Sequence, residues 1–589
     1  MAYDGLTNYF IANELKSHLI DGKIDKIFQP NSSEILLGVY SNFKKYGLDI
    51  VTSSNHYRAC ITNNAKPNPM YAPNFCMVLR KYILNTRITN IYTYGLERII
   101  VLEFEGNCKA DDISTKKLIL ELMGKHSNII LVNSNNVIID ALKHFSIENN
   151  SYRNILPNAL YILPISNKLD FMQISNSEEF YNKTTDYIQH ELDTIIDKNM
   201  TASKALSNVY TGFSKNTISS ILNELNLADT FDKNTLSKIY NYIYELMQNQ
   251  NKAVIVHNSN DYSISLSSDN KNDPLQINNF IDTYYIEKEK TEEFTNYRDN
   301  LSRLILGYLK RLNNKLLNIN NKLQECKNTD LYRIYGELIT NNLYRIKNEH
   351  SDKLEIENYY DNNNLISIPL DKALTPSANA KKYFKKYNKL KNAKQIVEEQ
   401  KIQVESELNY LESIIYEIEI ATSVSDIDNI YNEFTENFNT NSTRQIQQTS
   451  KKKKSKKPDK KIAKIGTPLE CTVDGFKVII GKNNRQNDYI TKQALDTDIW
   501  FHTKDVHGSH VILKTENKVP TQNTINKVAG ITAFYSKGAQ SSNVSVDYTY
   551  AKYVKKPSKA KPGMVIYTNN KNVIVKPANN IAIEKSKET

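Results

Sequence analysis

Residues 387–420 read YNKLKNAKQIVEEQKIQVESELNYLESIIYEIEI, and this stretch decides the architecture. Positions 387, 394, 401, 408 and 415 hold Tyr, Lys, Lys, Leu and Ile, and positions 390, 397, 404, 411 and 418 hold Leu, Val, Val, Leu and Ile. Alternating steps of three and four residues bring both sets onto one seam of a helix, so the spacing predicts a coiled-coil arm over 378–440. Lys394 and Lys401 interrupt the seam, weaken it and set its register. Upstream, Phe294, Tyr297, Leu301, Leu304, Tyr308, Leu312, Leu316, Ile319 and Leu323 follow the same rule. Their extra four-residue steps are a stutter, and they predict a first arm over 285–327. The two arms can pair as an antiparallel hairpin. Between them, 328–375 holds aromatics, Gly336 and the strand candidate Leu365-Ile366-Ser367-Ile368, which predicts a small tip domain. Arms of about 35 residues would reach roughly 50 Å at 1.5 Å per residue. Such a reach suits a bridge across a large partner better than an active site.

The flanks read differently. Over 1–170, the runs at 24–28, 34–40, 99–104 and 128–132 are short and apolar, as strands are. Helices are predicted near 6–19 and, after Pro73, near 74–84, which makes an α+β domain. Over 175–255 the strand pattern is lost. The run Ala205–Ser214, followed by Ile218-Ser219-Ser220-Ile221-Leu222, suggests two helices joined at Gly212. That is either a helix-hairpin-helix unit, whose amides can face phosphate, or a plain helical spacer. Residues 465–580 return to strands and turns with a helix near 521–536, a second α+β domain. The fold class is therefore multidomain α+β: an N-terminal α+β domain, a small helical domain, a coiled-coil hairpin with a tip, and a C-terminal α+β domain.

Charge is unevenly spread. The chain of 589 residues carries a net +11. Residues 451–589 hold 27 Lys/Arg against 11 Asp/Glu, a net +16, which leaves −5 for the first 450. A polycationic end points to a phosphate backbone and to binding that weakens steeply with salt. The run Lys451–Lys461 cannot bury itself. It reads as a linker over 445–464, either a non-specific nucleic-acid grip or a solvated tether. No apolar run is long enough to span a bilayer. The N-terminus has no basic region followed by an apolar one, so no secretory signal is expected. The five cysteines are dispersed and never form a C-x-x-C pair, as expected of a reducing cytosol without a zinc site. A cytoplasmic protein follows, with no membrane partner.

The segment Gly481-Lys482-Asn483-Asn484-Arg485-Gln486-Asn487-Asp488-Tyr489, with Asp498-Ile499-Trp500-Phe501-His502 and Gly508-Ser509-His510-Val511, concentrates donors, acceptors and flat rings. Amide and guanidinium groups can fork onto base edges or phosphate, and Trp500 and His502 can stack on bases. The mixture looks like poor core material, because each buried polar group would need its own partner. Asn484, Arg485, Asn487, Asp488, Trp500, His502, Ser509 and His510 are thus the RNA-contact candidates; residue by residue, an Asn/Gly turn before an ordinary strand is the plainer alternative. His502, His507 and His510 lack the carboxylate and cysteine companions of a metal site, so no metal is expected. Elsewhere, Arg80 and Lys81 are tRNA contacts or a solvated helix face. Lys125 and His126 meet phosphate or shape a turn. Glu97-Arg98 is a weak surface ion pair on its residues alone.

These motifs, in order, resemble the NFACT family over nearly the whole chain. Besides the 481–511 segment, the matching residues are Asn74–Lys81 (NFCMVLRK), Glu121–Asn128 (ELMGKHSN), and Arg153 leading to Leu156-Pro157 and Tyr161. They continue with Tyr335-Gly336-Glu337-Leu338 and Asn379–Lys389 (NAKKYFKKYNK). The resemblance implies that 1–170 is a tRNA-binding domain and 465–580 an RNA-binding domain. It implies a ribosome-quality-control factor that binds large ribosomal subunits obstructed by peptidyl-tRNA. Such a factor recruits aminoacyl-tRNA, alanyl-tRNA in bacteria, for mRNA-independent tailing of stalled chains. Peptide bond formation belongs to the ribosomal RNA, so no catalytic residue, cofactor or DNA partner is expected. The family's acidic position near the start falls on Asp4. Its Asp-Arg pair for aminoacyl-tRNA falls on Glu97 and Arg98; Glu for Asp keeps the charge but lengthens the arm by one methylene.

Two other classes compete. A surface adhesin follows an older name of the family, fibronectin-binding protein; the missing export signal and the basic C-terminus oppose it, and cell fractionation would decide. A DNA glycosylase follows from fold analogy alone. Residue 2 is Ala rather than the proline such enzymes use, and no C-x-x-C is present.

Overall fold

The computed structural model describes residues 3–64, 66–106, 115–146, 153–164, 166–190, 200–258, 261–266, 276–346, 352–438, 466–558 and 560–578. The basic linker expected over 445–464 lies outside them. The chain divides into two compact units, Met1–Thr291 and Glu292–Thr589.

In the first unit, α1 (Gly5–Leu19) precedes the strands β1 (Lys23–Asn31), β2 (Glu34–Ser41), β3 (Lys44–Val51) and β4 (Arg58–Thr62). After α2 (Asn74–Tyr82) come β5 (Arg87–Thr93), β6 (Ile99–Glu105), β7 (Lys116–Glu121), β8 (Asn128–Val132) and β9 (Ile138–Ala141). Among the described residues these strands form one antiparallel sheet in the order β4-β3-β2-β1-β5-β6-β7-β8-β9. The strands and both helices expected from apolar patterning are therefore present. β1 and β5 meet through a single paired position, Lys23 opposite Arg87, and join two meanders into one sheet.

The helical region holds α3 (Ser177–His190), α4 (Ala202–Val209), α5 (Lys215–Glu224) and α6 (Lys233–Gln248). Each of α4 to α6 starts on a side-chain cap, Thr201, Ser214 and Asp232 respectively. A hairpin absent from the sequence reading follows, β10 (Ala253–Asn258) against β11 (Asp261–Leu266). One apolar core runs through α1, the sheet, the helices, this hairpin and the start of α7 (Gln276–Glu325). Polar groups anchor that start. Glu14 accepts from the Asn278 amide at 2.8 Å, and the Asn278 side chain pairs with both the N–H and the C=O of Ile61, at 2.6 and 2.8 Å. Buried Arg58 bonds Asp49 at 3.2 Å and Glu289 at 2.7 Å.

In the second unit, the rest of α7 leads through α8 (Thr329–Asn341), β12 (Lys353–Asn358) and β13 (Asn364–Pro369) to α9 (Pro376–Ile420) and α10 (Val424–Asn437). The arms pair antiparallel: Leu301 and Ile305 pack with Leu411 and Ile414, Ile319 with Val397 and Val404, and Cys326 lies by the Leu390 carbonyl. Lys394 is exposed and Lys401 half-buried; each leans toward a glutamate one turn along its own helix, Glu398 and Glu405. The apolar seam therefore rests on valine and leucine, with the lysines at its edge. The second arm, expected as one helix over 378–440, is broken at 421–423. Ser423 and Asp426 form a capping box that restarts the helix as α10, whose Ile427, Ile430 and Phe434 pack back on the seam. The tip is α8 with the β12–β13 hairpin, closed by Leu338, Ile339, Ile368 and Ala380.

The C-terminal domain contains β14 (Leu469–Val473), β15 (Phe476–Ile480), α11 (Asn484–Gln493), β16 (Ile499–Thr503), β17 (Val511–Leu513), α12 (Gln522–Phe534), β18 (Val544–Tyr550), β19 (Val554–Lys555), β20 (Ile566–Tyr567) and β21 (Lys571–Val575). Its main sheet is antiparallel in the order β14-β15-β17-β16-β18-β21. One face packs on α12 through Val528 and Ala529, and the other on α11 through Ile490, Trp500 and Ile512.

Candidate nucleic-acid interface

Two sets of residues, one in each unit, carry the candidate chemistry. In the first unit the turn between β5 and β6 holds Glu97 and Arg98. Its position depends on three backbones in contact. The amides of Gly5 and Leu6 donate to the Gly212 carbonyl at 3.0 and 3.2 Å. A Cβ on Gly5 would lie 1.8 Å from the Leu96 carbonyl oxygen, and one on Gly212, at φ +87°, 2.5 Å from the Leu96 side chain. Only glycine permits that approach. The start of α1, the α4–α5 turn and the β5–β6 turn thus converge on one cleft of about 560 Å³.

Asp4 is the clamp of this arrangement. It caps α1 by accepting from Thr7 N at 3.0 Å, and its other oxygen accepts from Ser214 N at 3.3 Å and from the Thr217 hydroxyl. Its carboxyl is buried, which raises its pKa, while those hydrogen bonds oppose the rise. Asp4 therefore fixes the cleft and offers little free acceptor capacity to a ligand.

Arg98 donates to the Tyr57 hydroxyl at 3.3 Å and lies over that ring at 5.8 Å. Glu97 is half-buried; burial raises its pKa, countered by a hydrogen bond from Ser166 and by Arg98. Lys168, absent from the sequence reading, also lines the cleft and donates to the Ser207 carbonyl at 2.7 Å. Burial pushes its pKa down, and Arg98 pushes the same way. Lys215, at the start of α5, is an exposed cation on the same rim. Three cations beside two carboxylates, one of them (Asp4) already satisfied by the protein, suit a phosphate or a nucleotide edge.

The other candidates of this unit lie apart from that lining. Arg80 is turned onto its own backbone, with Nε and Nη2 donating to the Ile27 carbonyl at 3.0 and 2.7 Å. Lys81 is exposed. Lys125 and His126 are exposed on the short 3-10 turn Gly124–His126.

In the second unit, the 481–511 segment does not present its rings. Trp500 is fully buried and packs with Ile490 and Ile512; it stacks on His502 and meets His510 and Tyr567 edge-on or tilted. Burial pushes the His502 imidazole down to about 4 and lowers His510 as well. The expectation that such a mixture makes poor core material is corrected. The segment opens as helix α11 rather than as a turn, with Asn483 as its N-cap. Most of its polar groups find partners elsewhere in the chain, while the Trp500 indole N–H is buried without one among the described residues.

Asn484 N donates to Glu417 Oε1 at 2.5 Å, and its side-chain amide donates to Ser413 and Glu433 at 3.1 and 3.2 Å. Asn487 Oδ1 accepts from His510 N at 3.0 Å. Arg485 pairs with Glu436 at 2.5 Å. Asp488 pairs with Lys556 and accepts from Gly563 N. Buried Ser509 donates its amide to the Tyr535 carbonyl at 2.9 Å. The exposed lysines fall between and beyond the three stretches of the motif: Lys492, Lys504, Lys537, Lys552, Lys555 and Lys571. The net charge of this end was the signal that could have named them.

Among the described residues no cluster of His, Cys, Asp and Glu fits a metal ion, and no helix is long and apolar enough to cross a membrane.

Comparison with known proteins places these parts. Residues 4–457 match the NFACT N-terminal and middle domains, and residues 469–569 the NFACT protein RNA-binding domain. The chain is 33% identical to "Rqc2 homolog RqcH" of Bacillus subtilis (strain 168), covering 100% of both chains. It is 32% identical to "Rqc2 homolog RqcH" of Streptococcus suis (strain 05ZYH33), covering 98% of both. The solved N-terminal part of the fibronectin/fibrinogen-binding protein from Streptococcus suis aligns at 27% identity and TM-score 0.40, over 49% of this chain and 100% of that one.

Proposed function

Because this chain belongs to the NFACT family, we propose that it acts in ribosome quality control as a non-catalytic factor that binds RNA. In this reading it engages large ribosomal subunits obstructed by peptidyl-tRNA, in the cytoplasm. It recruits aminoacyl-tRNA, alanyl-tRNA first among candidates, and directs mRNA-independent tailing of the stalled chain. Peptide bond formation is left to ribosomal RNA. The observation that carries the reading is the cleft of the first unit, where three glycine-dependent contacts hold Arg98 and Lys168 beside Glu97. Arg98 recognises a phosphate or a base edge through its planar fork, and Glu97 accepts from an amine or orients that fork. The C-terminal domain, with its exposed lysines, supplies salt-sensitive attachment to RNA.

The test is co-purification. Arg98→Ala should lose tRNA while keeping the large subunit. Loss of both together contradicts the assignment of tRNA selection to the first unit.

A further inference from the structure

We propose that the end of the C-terminal sheet gathered around Asp498 is a stacking platform for single-stranded RNA, with Tyr550 and Tyr553 as its rings and Lys552 between them. The inference rests on the reading that this domain binds RNA, and it names the surface and the form of RNA.

Asp498 explains why the segments of this surface meet. It is buried, and its side chain is fully engaged. Oδ2 accepts from the Leu495 amide and from Lys514 Nζ, each at 2.8 Å, and Oδ1 accepts from the Thr515 amide at 3.1 Å. Its carbonyl accepts from the Ala551 amide at 2.9 Å. The connection between α11 and β16, the end of β17 and the end of β18 are thereby tied at one point. The Asp498 charge is spent inside the domain on Lys514.

What stands around that point is aromatic, apolar and cationic. Tyr550, the last residue of β18, is 48% exposed, and Leu495 is 64% exposed. Half-buried Tyr553 closes the short turn Ala551–Tyr553. Lys552 Nζ lies 5.7 Å from the centre of the Tyr550 ring and 5.0 Å from that of Tyr553, so one ammonium is shared by two rings. Lys571 stands opposite Tyr548, on the same face of the sheet as Tyr550. Lys555 stands opposite Ile566, which is also exposed. Lys552, Lys555 and Lys571 are exposed, and none forms an ion pair among the described residues. The exposed acids of the neighbouring connections are Asp496 and Glu516.

Charge selects a polyanion, because three lysines there have no carboxylate of their own. The rings select its form. A base can stack on tyrosine only when it is free of its own helix, whereas a duplex keeps its bases stacked on one another and offers phosphates alone. Every base has a flat face, so the platform accepts any sequence. The shared contact with Lys552 sets a cation beside each ring, where the phosphate of a stacked nucleotide can reach it.

The experiment measures binding of the full chain to a short fluorescein-labelled RNA of mixed sequence, single-stranded or annealed to its complement, by anisotropy at several salt concentrations. Tyr550→Ser should weaken the single strand about tenfold and the duplex far less, with the salt slope kept. The fluorescence of buried Trp500 checks that the domain stays folded. Equal weakening of both forms would overturn the platform. Weakening of neither would overturn it as well, and would leave this surface to an acidic protein partner. A second measurement uses the unaltered chain. Single-stranded RNA carrying iodouracil, which crosslinks under ultraviolet light to an aromatic ring stacked on it, should give adducts at Tyr550 or Tyr553 in peptide mass spectrometry. Adducts at other residues only would contradict the proposal. Failure of both forms of RNA to bind would overturn the RNA reading itself, and the platform with it.

Discussion

At the residue scale, burial decides what each side chain can do. Arg98 is partly open and holds one hydrogen bond to Tyr57. Arg98→Ala should therefore change stability by less than about 1 kcal/mol while abolishing tRNA binding, and a melting curve beside a filter-binding assay checks both. Trp500 is the opposite case. Trp500→Ala should destabilise the C-terminal domain by about 3–5 kcal/mol in urea denaturation, so any loss of RNA binding would be indirect. His502 yields a pH prediction. Its folded pKa of about 4 lies below its ordinary 6.5, so the stability it contributes is fully present above 6.5 and is lost as pH falls toward 4. Trp500, the one tryptophan of the chain, stacks on it and reports the local melt by fluorescence. Between pH 7.5 and 5 the wild type should lose more stability than His502→Gln; parallel curves would refute that. Glu97 and Arg98 were legible only through the family pattern, because their residue types alone fit a surface ion pair. The burial of the motif was not legible, because Glu417 and Glu433, more than fifty residues upstream, satisfy Asn484 in it.

At the element scale, the close contact of Gly5, Leu96 and Gly212 makes a cleft from three separate segments. Gly212→Ala adds a methyl group 2.5 Å from the Leu96 side chain at a φ of +87°. It should cost about 1–3 kcal/mol and abolish tRNA binding, with hydrogen exchange rising in α1 and α5. A variant that binds tRNA normally would show that the convergence is dispensable. The paired arms were readable because coiled-coil spacing persists over many turns. The restart at Ser423 was not, since α10 repeats the apolar pattern of the arm it leaves. The β10–β11 hairpin was missed for another reason: its residues Val254, Ile255, Ser263 and Ile264 form runs too short to stand out beside the helices.

At the scale of the whole molecule, charge and motif part company in the C-terminal domain. Part of the +16 of residues 451–589 falls on the run Lys451–Lys461, outside the described residues; in the domain itself the exposed lysines stand apart from the three stretches of the motif, while the motif braces the domain against α9 and α10. Binding to RNA should weaken steeply between 50 and 200 mM salt, as counterion release requires, and Lys552→Ala with Lys555→Ala should flatten that slope. The most direct measurement is affinity purification of the tagged full chain from its own cells, followed by sequencing of the bound RNA. A ribosome-quality-control factor brings down large-subunit rRNA together with an enriched tRNA. Recovery of neither RNA would contradict that role.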